Sequence, residues 1–196
     1  MFPLALDLRG RRVLVIGAGR VGAQKVAQLR DGGARVSVIT SAVTGDLGDV
    51  ESLSVRPYQR GDLAGAFLVV SATGDPAVND RVVEEANERN VLLNVVDDVE
   101  RSNFFFTAVH RDGDVVVSVS TEGASPALAQ WVRNTAVAAL PSNLESVARR
   151  LRAERDAVHA RGASTEDIVW MPRVQELIDE ELIDEELIEQ ERSSSR

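Results

Sequence analysis

The sequence contains no cysteine in 196 residues. Iron–sulfur clusters, cysteine zinc sites, thiol nucleophiles and disulfide frameworks are excluded together. Its two histidines, His110 and His159, stand far apart, so a histidine-built metal cage is not expected. No apolar run approaches the roughly 18 residues that spanning a bilayer requires. The segment Met1–Arg12 lacks both the basic start and the apolar stretch of a signal peptide. A soluble, cytoplasmic protein is the expectation. Lysine is nearly absent too: Lys25 stands alone among 21 arginines. The net charge of −9 belongs mostly to residues 166–196, which hold eleven acidic residues against three arginines. The rest is close to neutral and has no basic stripe to follow a phosphate backbone, so nucleic acid is not an expected partner, and neither is a membrane.

What is present suits a chain that buries a core without staples, with 44% apolar and 27% charged residues. Apolar runs alternate with amphipathic segments, the rhythm of a parallel α/β sheet. Strands are expected at Arg12–Ile16, Arg35–Ile39, Leu53–Arg56, Phe67–Ala72 and Val91–Val96. Helices are expected from the first glycine cluster to about Arg30 and from Pro76 to about Arg89. Beyond Asp97 the pattern changes to two strands, Phe104–His110 and Val115–Ser120, joined by a hairpin-type turn at 111–114. A helix to about Ala139 follows, with Ser125 as N-cap and Pro126 as its first residue, then another over Leu144–Arg161. The reading is a Rossmann-like parallel-sheet domain over 1–112, a small strand-and-helix module over 113–165, and an acidic tail over 166–196. The tail repeats Glu-Leu-Ile-(Asp/Glu)-(Glu/Gln) from Glu176. A five-residue period advances about 140° per repeat on a helix and scatters its Leu–Ile pairs around the cylinder. A solvated or frayed helix is expected, dispensable for folding, with residues 193–196 disordered.

The glycine cluster Gly17-Ala18-Gly19-Arg20-Val21-Gly22 follows a strand and opens a helix. Glycines at this spacing allow a tight turn, close approach of a pyrophosphate, and placement of its charge on the helix N-terminus. No acid closes the second strand to hold ribose hydroxyls. Thr40-Ser41-Ala42 supplies hydroxyls instead, and no arginine follows that would favour NADP. Ala72 and Thr73 end the fourth strand on the edge where open α/β sheets bind ligands. Asp97 and Asp98 end the fifth strand on the same edge, read as an extended pair whose side chains point to opposite sides. A carboxylate there can accept a proton beside a nicotinamide. Gly123-Ala124-Ser125-Pro126 makes a helix start whose amides suit an anionic group.

In order and spacing these segments resemble the precorrin-2 dehydrogenase/sirohydrochlorin ferrochelatase family, the dehydrogenase module of siroheme synthases. The matching residues are Pro3-Leu4, Leu8-Arg9-Gly10, Gly17–Gly22 with Lys25, Gly33-Ala34, Ala72-Thr73-x-Asp75 with Asn79, Asn94–Asp98, Asn103-Phe104 and Ser118–Leu128. The departures are Ala18, where a third consecutive glycine is common, and Thr107, where proline is usual. The resemblance implies NAD-dependent oxidation of precorrin-2 to sirohydrochlorin in siroheme or cobalamin biosynthesis, with Asp97 as proton acceptor. It also implies substrate contacts at Asn103, Thr121, Gly123 and Ser125, and a homodimer formed through about Asp114–Leu140. Some members insert Fe²⁺ or Co²⁺ into the product, and in some a serine matching Ser125 is phosphorylated.

Two other classes compete. A non-catalytic Rossmann-like nucleotide sensor explains the glycines but gives Asp97 and Ser125 no task. An unrelated dehydrogenase of small metabolites needs a histidine or lysine acid–base in its second domain, and neither His110 nor Lys25 fits.

Overall fold

The computed structural model describes residues 1–181, which form two units, 1–105 and 106 onward. In the first, five parallel strands run β1 (Arg12–Ala18), β2 (Arg35–Val43), β3 (Ser52–Val55), β4 (Leu68–Ser71) and β5 (Leu92–Val95), in the spatial order β3-β2-β1-β4-β5. Helix α1 (Arg20–Asp31) follows β1 and α2 (Pro76–Arg89) follows β4. The order reverses between β1 and β4, the switch point at which doubly wound sheets open a crevice for ligands. The central strands are continuous apolar runs because both of their faces are covered: Val13, Leu14, Val15, Val69 and Val70 are buried.

One buried carboxylate ties the outer part of this unit together. Glu85 of α2 is 1% exposed and accepts hydrogen bonds from the Tyr58 hydroxyl, the Gly61 amide (2.8 Å) and Arg89 Nε (2.7 Å). The loop between β3 and β4 is thereby fastened to α2. Burial pushes the Glu85 carboxyl up, but its three donors outweigh burial and hold it below the usual range.

The second unit pairs β6 (Ala108–Asp112) with β7 (Val115–Val119) in an antiparallel hairpin. Its two-residue turn is Gly113-Asp114, with Gly113 at φ +53°, as a turn with glycine first requires. Helices α3 (Pro126–Ala138) and α4 (Leu144–Ala160) follow. The units divide between Phe105 and Phe106, upstream of the boundary expected at Asp112, which would have cut through the hairpin's paired strands. Phe104–Thr107 is loop, not strand.

The tail corrects the reading further. Residues 171–181 form a helix, α5, and Leu177 on it is 0% exposed. Arg173 pairs with Glu154 of α4 at 2.8 Å, Glu180 with Arg150 at 2.6 Å, and Ser146 donates to Glu181 at 2.6 Å. The five-residue period scatters its apolar pairs only over several repeats. Over two turns, Val174, Leu177 and Ile178 still share a face. The disorder expected for 193–196 lies outside the described residues.

Candidate functional site

The three glycines at the end of β1 and the start of α1 differ in what their surroundings demand. Gly17 has φ +99°, and a Cβ there would fall 2.5 Å from the Ala72 carbonyl oxygen. A Cβ on Gly22 would fall 2.2 Å from the Gly17 carbonyl oxygen and 3.5 Å from Ala72 Cβ. Internal packing therefore dictates both. Gly19 differs: its Cβ would meet nothing nearer than Thr44 Oγ1 at 4.0 Å. Gly19 is the N-cap of α1, with extended backbone and no side chain capping the first turn. Nothing inside the protein needs this residue to be small. An open shell over unpaired helix amides is what a pyrophosphate requires. The residues present fit a dinucleotide, with Gly19, Arg20 and Val21 lining its approach.

The end of β2 braces this turn. Thr40 is 6% exposed, and its hydroxyl accepts from the Ala18 amide at 3.2 Å and donates to the Ala42 carbonyl at 2.6 Å. The Ala18 carbonyl in turn accepts from the amides of Thr44 (3.2 Å) and Gly45 (3.1 Å). Both backbone groups of Ala18 are thus committed. Thr40 lies beneath the turn, while Ser41 and Ala42 are exposed. Thr44 was not singled out from sequence, because β2 continues four residues beyond Ile39 to bring it there.

Across the switch point, the Ala72 amide donates to the Ile16 carbonyl at 2.7 Å, carrying the β1–β4 pairing one residue past β4. The loop that follows is pinned. Ser71 Oγ donates to Asn79 Oδ1 at 2.6 Å, Asn79 Nδ2 donates to the Thr73 carbonyl at 3.3 Å, and Asp75 caps α2 through the amides of Ala77 and Val78. Ala72 and Thr73 thus form a fixed floor beside the glycine turn.

At the end of β5 the chain turns sharply. The Asp98 amide donates to the Val95 carbonyl at 3.1 Å, and Asp97 occupies the left-handed region at φ +62°. The extended pair expected here is a tight turn, which aspartate tolerates better than most residues. Asp97 is exposed, and its charge acts on Lys25 of α1. Burial pushes the Lys25 ammonium down, and the Asp97 carboxylate opposes that.

Asn103 is exposed, and its carboxamide is brought to β5. Its Oδ1 accepts from the Leu93 amide at 2.7 Å and its Nδ2 donates to the Val91 carbonyl at 3.2 Å. Its carboxamide is thus held against the start of β5 by two backbone groups.

In the second unit the start of α3 is built as expected. Ser125 Oγ accepts from the Leu128 amide at 3.2 Å. Thr121 Oγ1 accepts from the Ser125 amide at 3.2 Å and donates to the Ser125 carbonyl at 3.1 Å. Gly123, at φ +82°, completes the turn between them.

The family model described as putative NAD(P)-binding matches residues 4–108, over half of the chain. The chain belongs to this NAD(P)-binding family. Similar proteins include siroheme synthase 1 of Pectobacterium atrosepticum, 36% identical over 165 residues, covering 81% of this chain and 34% of that protein. Siroheme synthase of Photorhabdus laumondii is 34% identical over 164 residues, covering 81% and 35%. The chain thus spans about a third of the length of these curated relatives. Among solved structures, one titled SirC, precorrin-2 dehydrogenase, shares the fold with a TM-score of 0.68 at 24% identity, covering 92% of this chain and 88% of that one. Among the described residues of this NAD(P)-binding chain, no helix is long and apolar enough to cross a membrane, and no group of three or more histidine, aspartate or glutamate side chains is placed to hold a metal ion.

Proposed function

We propose that this chain oxidises precorrin-2 to sirohydrochlorin with NAD⁺, in siroheme or cobalamin biosynthesis in the cytoplasm. The observation that carries the reading is the pairing of two features on one sheet edge. One is a glycine, Gly19, that packing does not need. The other is an exposed carboxylate, Asp97, held in a left-handed turn. A nucleotide sensor accounts for the first and not the second. The relatives' names point to the same chemistry.

Bound NAD⁺ supplies the hydride acceptor. Gly17–Gly22 receive its pyrophosphate, Ser41 and Ala42 border its adenosine ribose, and Ala72 and Thr73 floor the site. The residues that end β2 and follow it, Thr40–Thr44, are all neutral and offer no positive charge to a 2′-phosphate. NAD⁺ is therefore favoured over NADP⁺. Removing two hydrogens from a reduced tetrapyrrole sends a hydride to the acceptor and leaves one proton, which Asp97 takes as general base. The amides at the start of α3, with Thr121 and Gly123, offer an anion-binding end to a substrate carboxylate. A negative modification of Ser125 would oppose that.

The reading includes a homodimer. On α3, Ala129, Arg133 and Val137 are buried or half-buried, whereas Leu128, Trp131 and Val132 form an exposed apolar face, Trp131 at 65%. An unpartnered aromatic face of this kind marks an interface.

The deciding experiment is anaerobic incubation of precorrin-2 with NAD⁺ and the protein, watching for sirohydrochlorin absorbance. A second arm adds Fe²⁺ or Co²⁺ as substrate and watches for the metallated product. No absorbance change above the protein-free control would sink the assignment.

A further inference from the structure

β5 is the last strand of its sheet, and residues 102 and 103 return to meet it. The Leu93 amide donates to Asn103 Oδ1 at 2.7 Å, and the Val95 amide donates to Ser102 Oγ at 2.9 Å. Partners for the amides of an edge strand would account for these two bonds. They do not account for the rest of what the Ser102 hydroxyl does. Half-buried, it donates to the Asp98 carbonyl at 2.7 Å and lies 3.3 Å from the Val95 carbonyl. One hydroxyl therefore holds a backbone group on each side of Asp97.

Asp97 is the residue that needs such a hold. Residues Val95–Asp98 form a turn closed by the Asp98 amide on the Val95 carbonyl at 3.1 Å, and Asp97 is its third residue, at φ +62°. A positive φ at that position is ordinary for glycine or asparagine. Aspartate adopts it at a cost, and such conformations persist where the surroundings over-determine them. The entry to the turn is fixed by β4, because the Val96 amide donates to the carbonyl of the buried Ser71 at 2.9 Å. The exit is fixed by Ser102. Arg101 braces the segment further out, on the Asp98 carboxylate at 3.2 Å and on Asp80 of α2 at 2.7 Å. Those are largely exposed ion pairs, which hold weakly.

We propose that Ser102 is the positioning residue of the proton acceptor, its hydroxyl locking the turn from which the Asp97 carboxylate projects. The proposal rests on Asp97 being the general base in the reaction assigned above. Ser102 takes no proton from substrate and acts only through the backbone of residues 95–98. A shift of about 1 Å at a reacting group can cost about 10²-fold in rate, so a loosened turn should show in kcat.

Hydrogen exchange at the Asp98 amide reads the turn without cofactor or substrate. In Ser102→Ala that amide should exchange about tenfold faster or more, while the amides of Val69 and Val70 in β4 keep their protection. Unchanged exchange at Asp98 overturns the clamp. In the precorrin-2 assay, run well below the melting temperature, Ser102→Ala should lower kcat about tenfold with KM for NAD⁺ within about twofold. Ser102→Thr, which keeps the hydroxyl, should recover most of the loss. A serine that only stabilises the fold would lower the melting temperature and leave kcat alone, and that result overturns the positioning role. The comparison that isolates Asp97 uses Asp97→Asn as background. With the base gone, Ser102→Ala should change the residual rate less than about twofold. A full tenfold loss there overturns the link to Asp97. An unmodified protein that does not oxidise precorrin-2 overturns the reaction and with it the part given to Asp97, while the exchange result still judges the clamp.

Discussion

The Asp98 carboxylate accepts a hydrogen bond from the Arg101 amide at 3.1 Å and pairs with the Arg101 guanidinium at 3.2 Å, while the adjacent Asp97 stands exposed in the left-handed region at φ +62°. The tight turn separates the two acids into different tasks. Asp98 organises residues 98–101, and Asp97 is left exposed on the ligand side. Asp97→Asn keeps a side chain that tolerates the left-handed region, so folding should survive. Its kcat for precorrin-2 oxidation should fall on the order of 10²-fold or more with NAD⁺ affinity retained. Asp98→Asn should lower stability by about 1 kcal/mol through the weakened Arg101 contacts and leave kcat within a few-fold. Steady-state kinetics with thermal melts on both variants decides it. The reverse pattern would assign the base to Asp98.

The glycine turn makes a separable prediction about binding and folding. Gly22→Ala places a Cβ against the Gly17 carbonyl and should destabilise the unit by several kcal/mol, because backbone must move. Gly19→Asp meets no such obstacle within the protein, so the melting temperature should change little. Its carboxylate would stand where the pyrophosphate approaches, and NAD⁺ binding by calorimetry should vanish. The same titration on the unmodified protein should show NAD⁺ preferred, and NADP⁺ binding as tightly or more tightly would contradict that preference.

Glu85 should govern acid stability. Its folded carboxyl lies below the ordinary range, so its contribution is full above the unfolded value, about 4.3, and is lost as pH falls through the folded value. Glu85→Gln keeps the shape but weakens the acceptor for Tyr58, Gly61 and Arg89. Stability at pH 7 should drop by about 1–3 kcal/mol. The loss should shrink as the pH falls below the unfolded value and through the lower folded one, where the unmodified carboxyl takes up its proton too. Melting curves that stay parallel down to pH 3 would show that Glu85 is not the titrating group.

The exposed face of α3 predicts assembly. Trp131→Glu should leave the helix intact, since residue 131 makes no part of the protomer's core, and should shift the protein toward monomer in sedimentation velocity. A dimer equally strong after the change would move the interface elsewhere.

Much of the first unit was legible because its signals are periodic or compositional. Continuous runs such as Leu68–Ser71 can only be central strands, and Pro76 and Pro126 begin helices at the residues expected of them. What escaped depended on distance in sequence. The extension of β2 to Val43 is stabilised by Ala18, which no local pattern at residues 40–43 announces. Val95–Asp98 reads as extended until the turn's hydrogen bond is seen. The hold on the Asn103 carboxamide also escaped, because its two backbone partners, Leu93 on β5 and Val91 just before it, lie about ten residues earlier. Phe104–Phe106 looks like a strand by composition, yet no partner strand is offered to it.

The tail is where sequence periodicity misled most, and it yields the sharpest reversal. Averaged over three repeats, the Leu–Ile pairs have no common face, which argued for a dispensable helix. Two turns need only one stripe, and the first repeat provides it: Leu177 is fully buried, with Val174 and Ile178 half-buried beside it. The ion pairs on either side, Arg173–Glu154 and Arg150–Glu180, are roughly a third exposed and should add little, increasingly so in salt. The apolar contact should therefore dominate. Leu177→Ala should cost about 2–5 kcal/mol in the second unit, whereas Glu180→Gln should cost under about 1 kcal/mol and only at low ionic strength. Deleting residues 174–196 should lower the melting temperature at least as far as Leu177→Ala does. If the deletion melts like the full chain, α5 contributes no packing energy and the interdigitated charges merely tether it.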